Sequence, residues 1–241
     1  MPATEASPRS RKLDRPPVER LYGRRRGHAL RPRQARLLAH TLPRVRLSET
    51  AAQSPFAAFP CPVRELWLEV GFGSGEHTAE LVARHPEVGI IAAEVFENGI
   101  VSFLARYVPE GEEETAALPP NLVLWPDDAR ALLRLLPEAS ISRLFLLFPD
   151  PWPKARHARR RFVHPALIPL IARVMAPRGE WRIASDDPTY QAWVEETLAG
   201  QDRFDIVSVS AIRPEGWPGT RYEAKALREG RTPRYWTLRR R

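Results

Sequence analysis

Leu66-Trp67-Leu68-Glu69-Val70-Gly71-Phe72-Gly73-Ser74-Gly75 sets an apolar run directly against three alternating glycines, and a helical pattern opens behind them at Glu76 to Thr78. A short apolar run bounded by turn signals suits a strand buried on both faces. Glycines at its end let the backbone bend tightly and approach a nucleotide closely. A glycine turn by itself is a weak signal, and the next strand strengthens it. Ile90-Ile91-Ala92-Ala93-Glu94 ends in an acid nineteen positions after Gly75, near the roughly 20-residue spacing at which an acid meets ribose hydroxyls.

That pattern fits a nicotinamide dinucleotide and S-adenosylmethionine alike, since both present a ribose. Glu69 separates them. A carboxylate at the strand end, against the glycine turn, would repel a pyrophosphate. S-adenosylmethionine has no phosphate there and carries an ammonium and a sulfonium. Leu122-Val123-Leu124-Trp125-Pro126-Asp127-Asp128 ends a third strand in acid, placed to accept from the adenine amino group. Asp128, followed by Ala129 and a helical pattern, is the preferred acid of the doublet. Each acid alone reads as a helix cap or a solvated turn residue. Three at the ends of three successive strands behind a glycine turn read as a cofactor site, with Glu69, Gly71, Gly73, Gly75, Glu94 and Asp128 around S-adenosyl-L-methionine.

Outward from this unit, strands are expected at about 65 to 70, 89 to 94, 122 to 125, 142 to 148 and 180 to 185. Helices alternate with them near 76 to 84, 97 to 107, 129 to 136, 165 to 175 and 189 to 198. Such alternation means crossovers and a mostly parallel sheet covered on both faces. Phe204 to Ser210 and Arg234 to Leu238 bring the strands to seven, with an antiparallel last strand. The fold class is thus α/β, Rossmann-like. Pro109 to Pro120, with Glu110, Glu112, Glu113 and Glu114, reads as a solvated insertion without assigned chemistry.

The chain divides by composition into a basic, largely flexible arm over 1–62 and a folded domain over 63–241. Within the arm a short helix is expected from Arg33 to about His40, and a Ser/Ala/Pro-rich linker from Ser48 to Pro62. Residues 1 to 36 hold eleven Arg or Lys against Glu5, Asp14 and Glu19. The arm therefore carries the whole formal excess of +8, and such a patch attracts a polyanion. Cys61 is the only cysteine, which leaves no internal disulfide and points to a reducing, cytoplasmic compartment. No apolar run reaches spanning length, so no membrane partner is expected. The histidines show no metal-ligand spacing, and no metal is expected. Monomer and homodimer both remain open.

Phe148-Pro149-Asp150-Pro151-Trp152-Pro153-Lys154-Ala155-Arg156-His157-Ala158-Arg159-Arg160-Arg161 follows the fourth strand. Its prolines hold an extended, non-helical path and present Asp150 on a stiff loop, where α/β enzymes keep their chemistry. Five basic residues without an acid then form a local patch, which elsewhere would be only a solvated face. With a methyl donor above the first two strands, Asp150 would meet the acceptor. The Asp-Pro-Trp-Pro loop is similar to the Asn/Asp-Pro-Pro-aromatic loop of methyltransferases that modify planar nitrogens, with the aromatic displaced by one. A guanine suits it, because its N1 and N2 protons can meet a carboxylate. Trp152 serves equally well as a stacking face or a loop plug.

With Glu69 to Gly75, this stretch closely resembles the bacterial tRNA (guanine-N7)-methyltransferases, whose signature is Pro-Asp-Pro-Trp followed by Lys, Arg-His and a basic run. The resemblance extends to Tyr22-Gly23-Arg24-Arg25 with Gly27 and Arg31 to Gln34, to Ala184-Ser185-Asp186, and to Thr220-Arg221-Tyr222-Glu223-Ala224-Lys225 with Gly230 and Tyr235. It implies a seven-stranded class I fold that methylates N7 of the variable-loop guanine of tRNA. It also implies that Glu69, Glu94 and Asp128 hold the cofactor and that Asp150 is the catalytic-site acid. Lys154, Asp186 and Thr220, Arg221, Tyr222 and Glu223 would contact the substrate, and Arg156, His157, Arg159, Arg160 and Arg161 the RNA. Asp186 reads alternatively as the cap of the next helix, and Thr220 with Glu223 as a capping box. Competing functions are an RNA clamp without turnover and a methyltransferase acting on DNA or protein nitrogen.

Overall fold

The computed structural model describes residues 23–241. Tyr22 and the part of the arm before it lie outside the described residues. Seven strands form one sheet: β1 (Glu65–Val70), β2 (Val88–Ala93), β3 (Leu122–Trp125), β4 (Ile141–Leu147), β5 (Met175–Ser185), β6 (Phe204–Ser210) and β7 (Arg234–Arg240). Their order is β3-β2-β1-β4-β5-β7-β6. The first five strands pair in parallel, and β7 runs antiparallel to both β5 and β6. Connections therefore run to opposite sides of β1, and the crevice between the carboxyl ends of β1 and β4 is the switch point at which such sheets hold ligands.

Helices along the described chain are α1 (Pro32–Arg36), α2 (Leu42–Val45), α3 (Glu49–Ala52), α4 (Glu76–Arg84), α5 (Glu97–Leu104), α6 (Ala129–Leu135), α7 (Ile168–Val174), α8 (Pro188–Ala199) and α9 (Arg221–Arg228). A π-helical stretch, Leu37–Thr41, joins α1 to α2. Successive strand residues point to opposite faces, and both faces are buried. Leu66, Leu68, Ile91, Leu144 and Leu146 enter one apolar layer with Trp181, Tyr190 and Trp236. Trp67, Ile90, Phe103 and Phe145 enter the other.

The stretch expected as a linker instead folds into the domain. Ala52 and Phe59, with Leu47 just before them, are buried in the first layer, and Ser48 caps α3 by accepting from the Ala51 amide at 3.1 Å. The Leu47 amide donates to the Leu124 carbonyl at 2.8 Å, and Arg46 bridges Leu124 in parallel. The physical reason is the open edge of β3: its unpaired backbone groups are satisfied by the incoming chain, which three spaced apolar side chains then pin.

The acidic insertion also has a structural role. Glu113 is buried and accepts from Arg36 Nη2 at 3.2 Å, while its carbonyl accepts from Thr41 Oγ1 at 2.6 Å. Arg33 Nη2 donates to the Val108 carbonyl and Arg44 Nη2 to that of Ala116, each at 2.7 Å. Basic side chains from residues 33 to 44 thus clasp the insertion to the domain.

Candidate cofactor and acceptor cleft

An open cleft of about 800 Å³ lies at the carboxyl ends of β1, β2, β3 and β4. Gly71, Gly73, Glu94, Asp127, Asp128, Asp150, Trp152, Arg160 and Tyr222 all line it. Gly71, Gly73 and Gly75 each have φ between 59° and 76°, the left-handed region that glycine enters at no steric cost. A Cβ at Gly71 would meet nothing within 4 Å, so its face is open to a ligand, whereas one at Gly75 would lie 2.1 Å from the Phe103 ring. Gly71 and Gly73 therefore face the cleft, and Gly75 makes room for α5.

Glu94 fastens the turn from the next strand. Its Oε2 accepts from the Gly73 amide at 2.7 Å, and its Oε1 from the amides of Val95 and Phe96 at 2.8 and 3.0 Å. A carboxylate oxygen accepts two bonds, so Oε2 keeps one site for a hydroxyl. Burial raises the Glu94 pKa against the lowering effect of these amides, and the Asp150 charge across the cleft raises it further.

The acid doublet splits. Asp128 caps α6 by accepting from the Arg130 amide at 2.9 Å, and the Arg130 guanidinium grips its two oxygens at 2.5 to 3.0 Å. Asp127 accepts from Arg25 Nη2 at 2.9 Å. Backbone and side-chain bonds from Arg25 to His28 with Glu97 and Asn98 hold the rest of this strap, which brings Gly23 and Arg24 into the cleft wall. Sequence reasoning missed Arg130, for which a basic residue two positions into a helix behind an acid was the available signal. The resemblance did mark Gly23, Arg24, Arg25 and Gly27, without giving them a place in the cleft wall.

Glu69 is not among the lining residues. It is only 4% exposed, and its Oε2 meets His77 Nδ1 at 3.0 Å and accepts from Thr78 Oγ1 at 2.6 Å. It ties the end of β1 to the first turn of α4, beneath the glycines.

Asp150 sits exposed between Phe148 and Trp152, whose φ values are +52° and +45°. Each such non-glycine residue costs about 1–3 kcal/mol and persists only where the surroundings hold it. The Phe148 amide donates to the Ala184 carbonyl at 2.8 Å. Arg160 stacks on the Trp152 ring at 4.7 Å, and His157 meets its edge at 5.7 Å. Lys154, Arg156 and Arg159 are exposed on a 3-10 turn beyond it. Burial first, then the neighbouring arginine charges, lower the His157 pKa. Arg161 departs from this set: it is buried, and donates to the carbonyls of Pro151 and Trp152.

Of the remaining expected substrate residues, Tyr222 lines the cleft and Asp186, Thr220, Arg221 and Glu223 do not. Tyr222 lies against the turn, so that a Cβ at Gly73 would meet its ring at 3.2 Å, and Arg221 donates to its hydroxyl at 3.0 Å. Thr220 caps α9 by accepting from the Glu223 amide at 3.0 Å. Glu223 does not complete a capping box, because its carboxylate turns inward to accept from the Tyr235 hydroxyl at 2.6 Å and Arg213 at 3.2 Å. Asp186 accepts from Arg231 Nε at 2.5 Å. The cap of α8 is Asp187, which accepts from the Tyr190 amide at 2.9 Å.

The donor set fits a cationic nucleoside. Glu94, Asp127, Asp128 and Asp150 line one cleft with the open face of Gly71. Arg24, Arg130 and Arg160 line it too, and Asp127 and Asp128 are paired with Arg25 and Arg130, which leaves Glu94 and Asp150 to attract a sulfonium or an ammonium. Among the described residues no group of His, Cys, Asp and Glu is arranged to hold a metal ion. No described helix is long and apolar enough to cross a membrane.

Residues 63–234 match the family model described as "Putative methyltransferase". A tRNA (guanine-N(7)-)-methyltransferase of Granulibacter bethesdensis is 60% identical over 219 residues, covering 90% of this chain and 93% of its own. One of the same name from Paramagnetospirillum magneticum is 44% identical, covering 92% and 93%. Among solved structures, the 16S rRNA methyltransferase KamB superposes with a TM-score of 0.52 at 16% identity, over 74% of this chain and 88% of that one. This last likeness is one of fold.

Proposed function

The chain belongs to the tRNA (guanine-N(7)-)-methyltransferase family, and from that premise we propose how its cleft methylates N7 of the variable-loop guanine of tRNA. The observation that carries the reading is the meeting of Glu94, Asp128 and Asp150, from three different strand ends, on one cleft. Glu94 would accept from the ribose, Asp128 from the adenine amino group, and Gly71 and Gly73 would pass the backbone close to the ligand. Bound there, S-adenosylmethionine supplies a methyl group on a cationic sulfonium.

Asp150 would accept hydrogen bonds from N1–H and N2–H of guanine, holding the base by its far edge so that N7 faces the methyl. N7 carries no proton, so no side chain has to remove one. The protein's contribution is placement, together with negative charge around a cation. Lys154, Arg156 and Arg159 would hold phosphates of the surrounding RNA, a contribution that weakens with salt. Tyr222, which also lines the cleft, would contact the substrate. The exposed thiol of Cys61 suits a reducing compartment such as the cytoplasm.

The test is incubation with labelled S-adenosylmethionine and unmodified tRNA, followed by nucleoside analysis. Labelled N7-methylguanosine is expected, and label in any other nucleoside would overturn the reading. Asp150→Ala is expected to lose turnover while keeping donor binding. Full activity would remove Asp150 from the mechanism.

A further inference from the structure

We infer that Arg161, the last arginine of the basic run, positions the acceptor loop and makes no RNA contact. Its sequence neighbours suggest one more phosphate ligand, and its surroundings say otherwise. Arg161 is 5% exposed. Its Nε donates to the Pro151 carbonyl at 3.0 Å and its Nη2 to the Trp152 carbonyl at 2.9 Å, and its guanidinium lies 4.8 Å over the Trp193 ring.

The loop needs such a clamp. Pro149, Pro151 and Pro153 have no N–H to donate, so alternate positions around Asp150 cannot be fastened through main-chain donors. Carbonyls are what these prolines leave, and holding two consecutive carbonyls asks for a rigid fork of donors. Arginine supplies that fork, and lysine, with a point charge on a flexible stem, does not. Phe148 and Trp152, the left-handed residues on either side of Asp150, are thereby held from two ends: Phe148 through Ala184 and Trp152 through Arg161. A phosphate reaching Arg161 would have to displace these bonds from beneath the loop, whereas Arg159 stands exposed beside it. The inference rests on the reading of Asp150 as the acceptor-site acid.

Two experiments test it. Steady-state kinetics of Arg161→Lys with tRNA should show kcat reduced about 100-fold, the order expected for a reacting group misplaced by an ångström. KM for tRNA and the salt slope of binding should stay at wild-type values. Arg159→Ala, by contrast, should lower that slope by about one. Wild-type kcat in Arg161→Lys, or a flattened slope, overturns the inference. The second experiment needs no variant: wild-type protein is treated with phenylglyoxal with and without tRNA and mapped by mass spectrometry. Arg159 should be labelled and protected by tRNA, and Arg161 unlabelled in both. Labelling of Arg161 that tRNA suppresses overturns the inference even if the lysine variant does not fold. If the wild type forms no N7-methylguanosine, the functional reading falls, while the labelling still decides whether Arg161 meets RNA.

Discussion

Glu94 Oε2 accepts a hydrogen bond from the Gly73 amide at 2.7 Å, so the acid that ends β2 also sets the shape of the glycine turn that ends β1. The same carboxylate sits half-buried opposite Asp150. Burial and that like charge raise its pKa, so its protonated fraction grows as pH falls through a range above the usual carboxylate value. A cationic ligand favours the ionised form. Donor binding should therefore release a proton in that range, and its apparent Kd should rise on acidification by at most about tenfold per pH unit. Calorimetry in buffers of differing ionisation enthalpy reads the proton directly. Asp150→Ala removes one of the raising charges and should move the dependence to lower pH. An affinity that ignores pH in both proteins would refute the argument.

The raised pKa acts on folding with a definite sign. A buried carboxyl that holds its proton more tightly when folded stabilises the folded state below its unfolded pKa, and that contribution is lost as pH rises through the folded value. The free protein should thus carry a small penalty at neutral pH that bound donor relieves. Melting curves with and without S-adenosylmethionine should separate most on the neutral side.

Gly71 and Gly75 look alike in sequence, and the structure makes different demands on them. Both have left-handed φ, where alanine costs about 1–2 kcal/mol. Only Gly75 adds a collision, with the buried Phe103 ring, and overpacking of that kind costs about 1–3 kcal/mol more. Gly75→Ala should accordingly be the less stable variant in denaturant titration. Gly71→Ala should keep more stability yet lose donor affinity, because its new methyl enters the cleft. Equal donor affinity in Gly71→Ala and wild type would mean that the cofactor does not approach this turn.

Much of this was legible in sequence, because apolar runs and turn signals repeat what the sheet requires. The strand leading to Glu94 and the glycine turn follow from patterns within a few residues of one another, and the antiparallel β7 follows from a connection to β6 that need not be a full crossover. What could not be read depends on partners far away along the chain. Leu47, Ala52 and Phe59 look like scattered apolar residues in and just before a linker until the open edge of β3 is placed beside them. Arg161 looks like Arg159 until the carbonyls it faces are known. The inward turn of Glu223 depends on Tyr235, twelve residues on. Burial of a charged side chain is a property of the assembled fold, and composition reports only that the charge exists.

Glu113 offers a test of the clasp between the insertion and residues 33 to 44. Its hydrogen bond with Arg36 holds its pKa below the usual carboxylate range. A depressed carboxylate contributes stability above its unfolded pKa, and that contribution is lost as pH falls through the folded value. Glu113→Gln should melt below wild type at neutral pH, and the gap should close in acid below the usual carboxylate range. Parallel melting curves across the whole pH range would show that the pair contributes nothing.

Arg130 should matter to the cofactor through Asp128. The guanidinium makes three bonds to the two carboxylate oxygens and the Arg130 amide makes a fourth. The acid is then locked in one orientation. A fixed carboxylate can tell a 6-amino purine, which donates, from a 6-oxo purine, which does not. Arg130→Gln frees the carboxylate to rotate and loosens one charge-assisted hydrogen bond, worth about 1.5–3 kcal/mol, so donor affinity should fall about tenfold or more. A sharper readout is the ratio of affinities for S-adenosylhomocysteine and S-inosylhomocysteine. It is measured within one folded protein, so a general loss of stability does not affect it. The ratio should shrink in Arg130→Gln and in Asp128→Asn alike. A ratio that collapses in Asp128→Asn but holds in Arg130→Gln would leave Asp128 as the adenine acid and deny Arg130 any part in orienting it. A ratio that holds in both would place adenine recognition elsewhere, and Asp127, more exposed at the same strand end and latched to Arg25, would be the next acid to test.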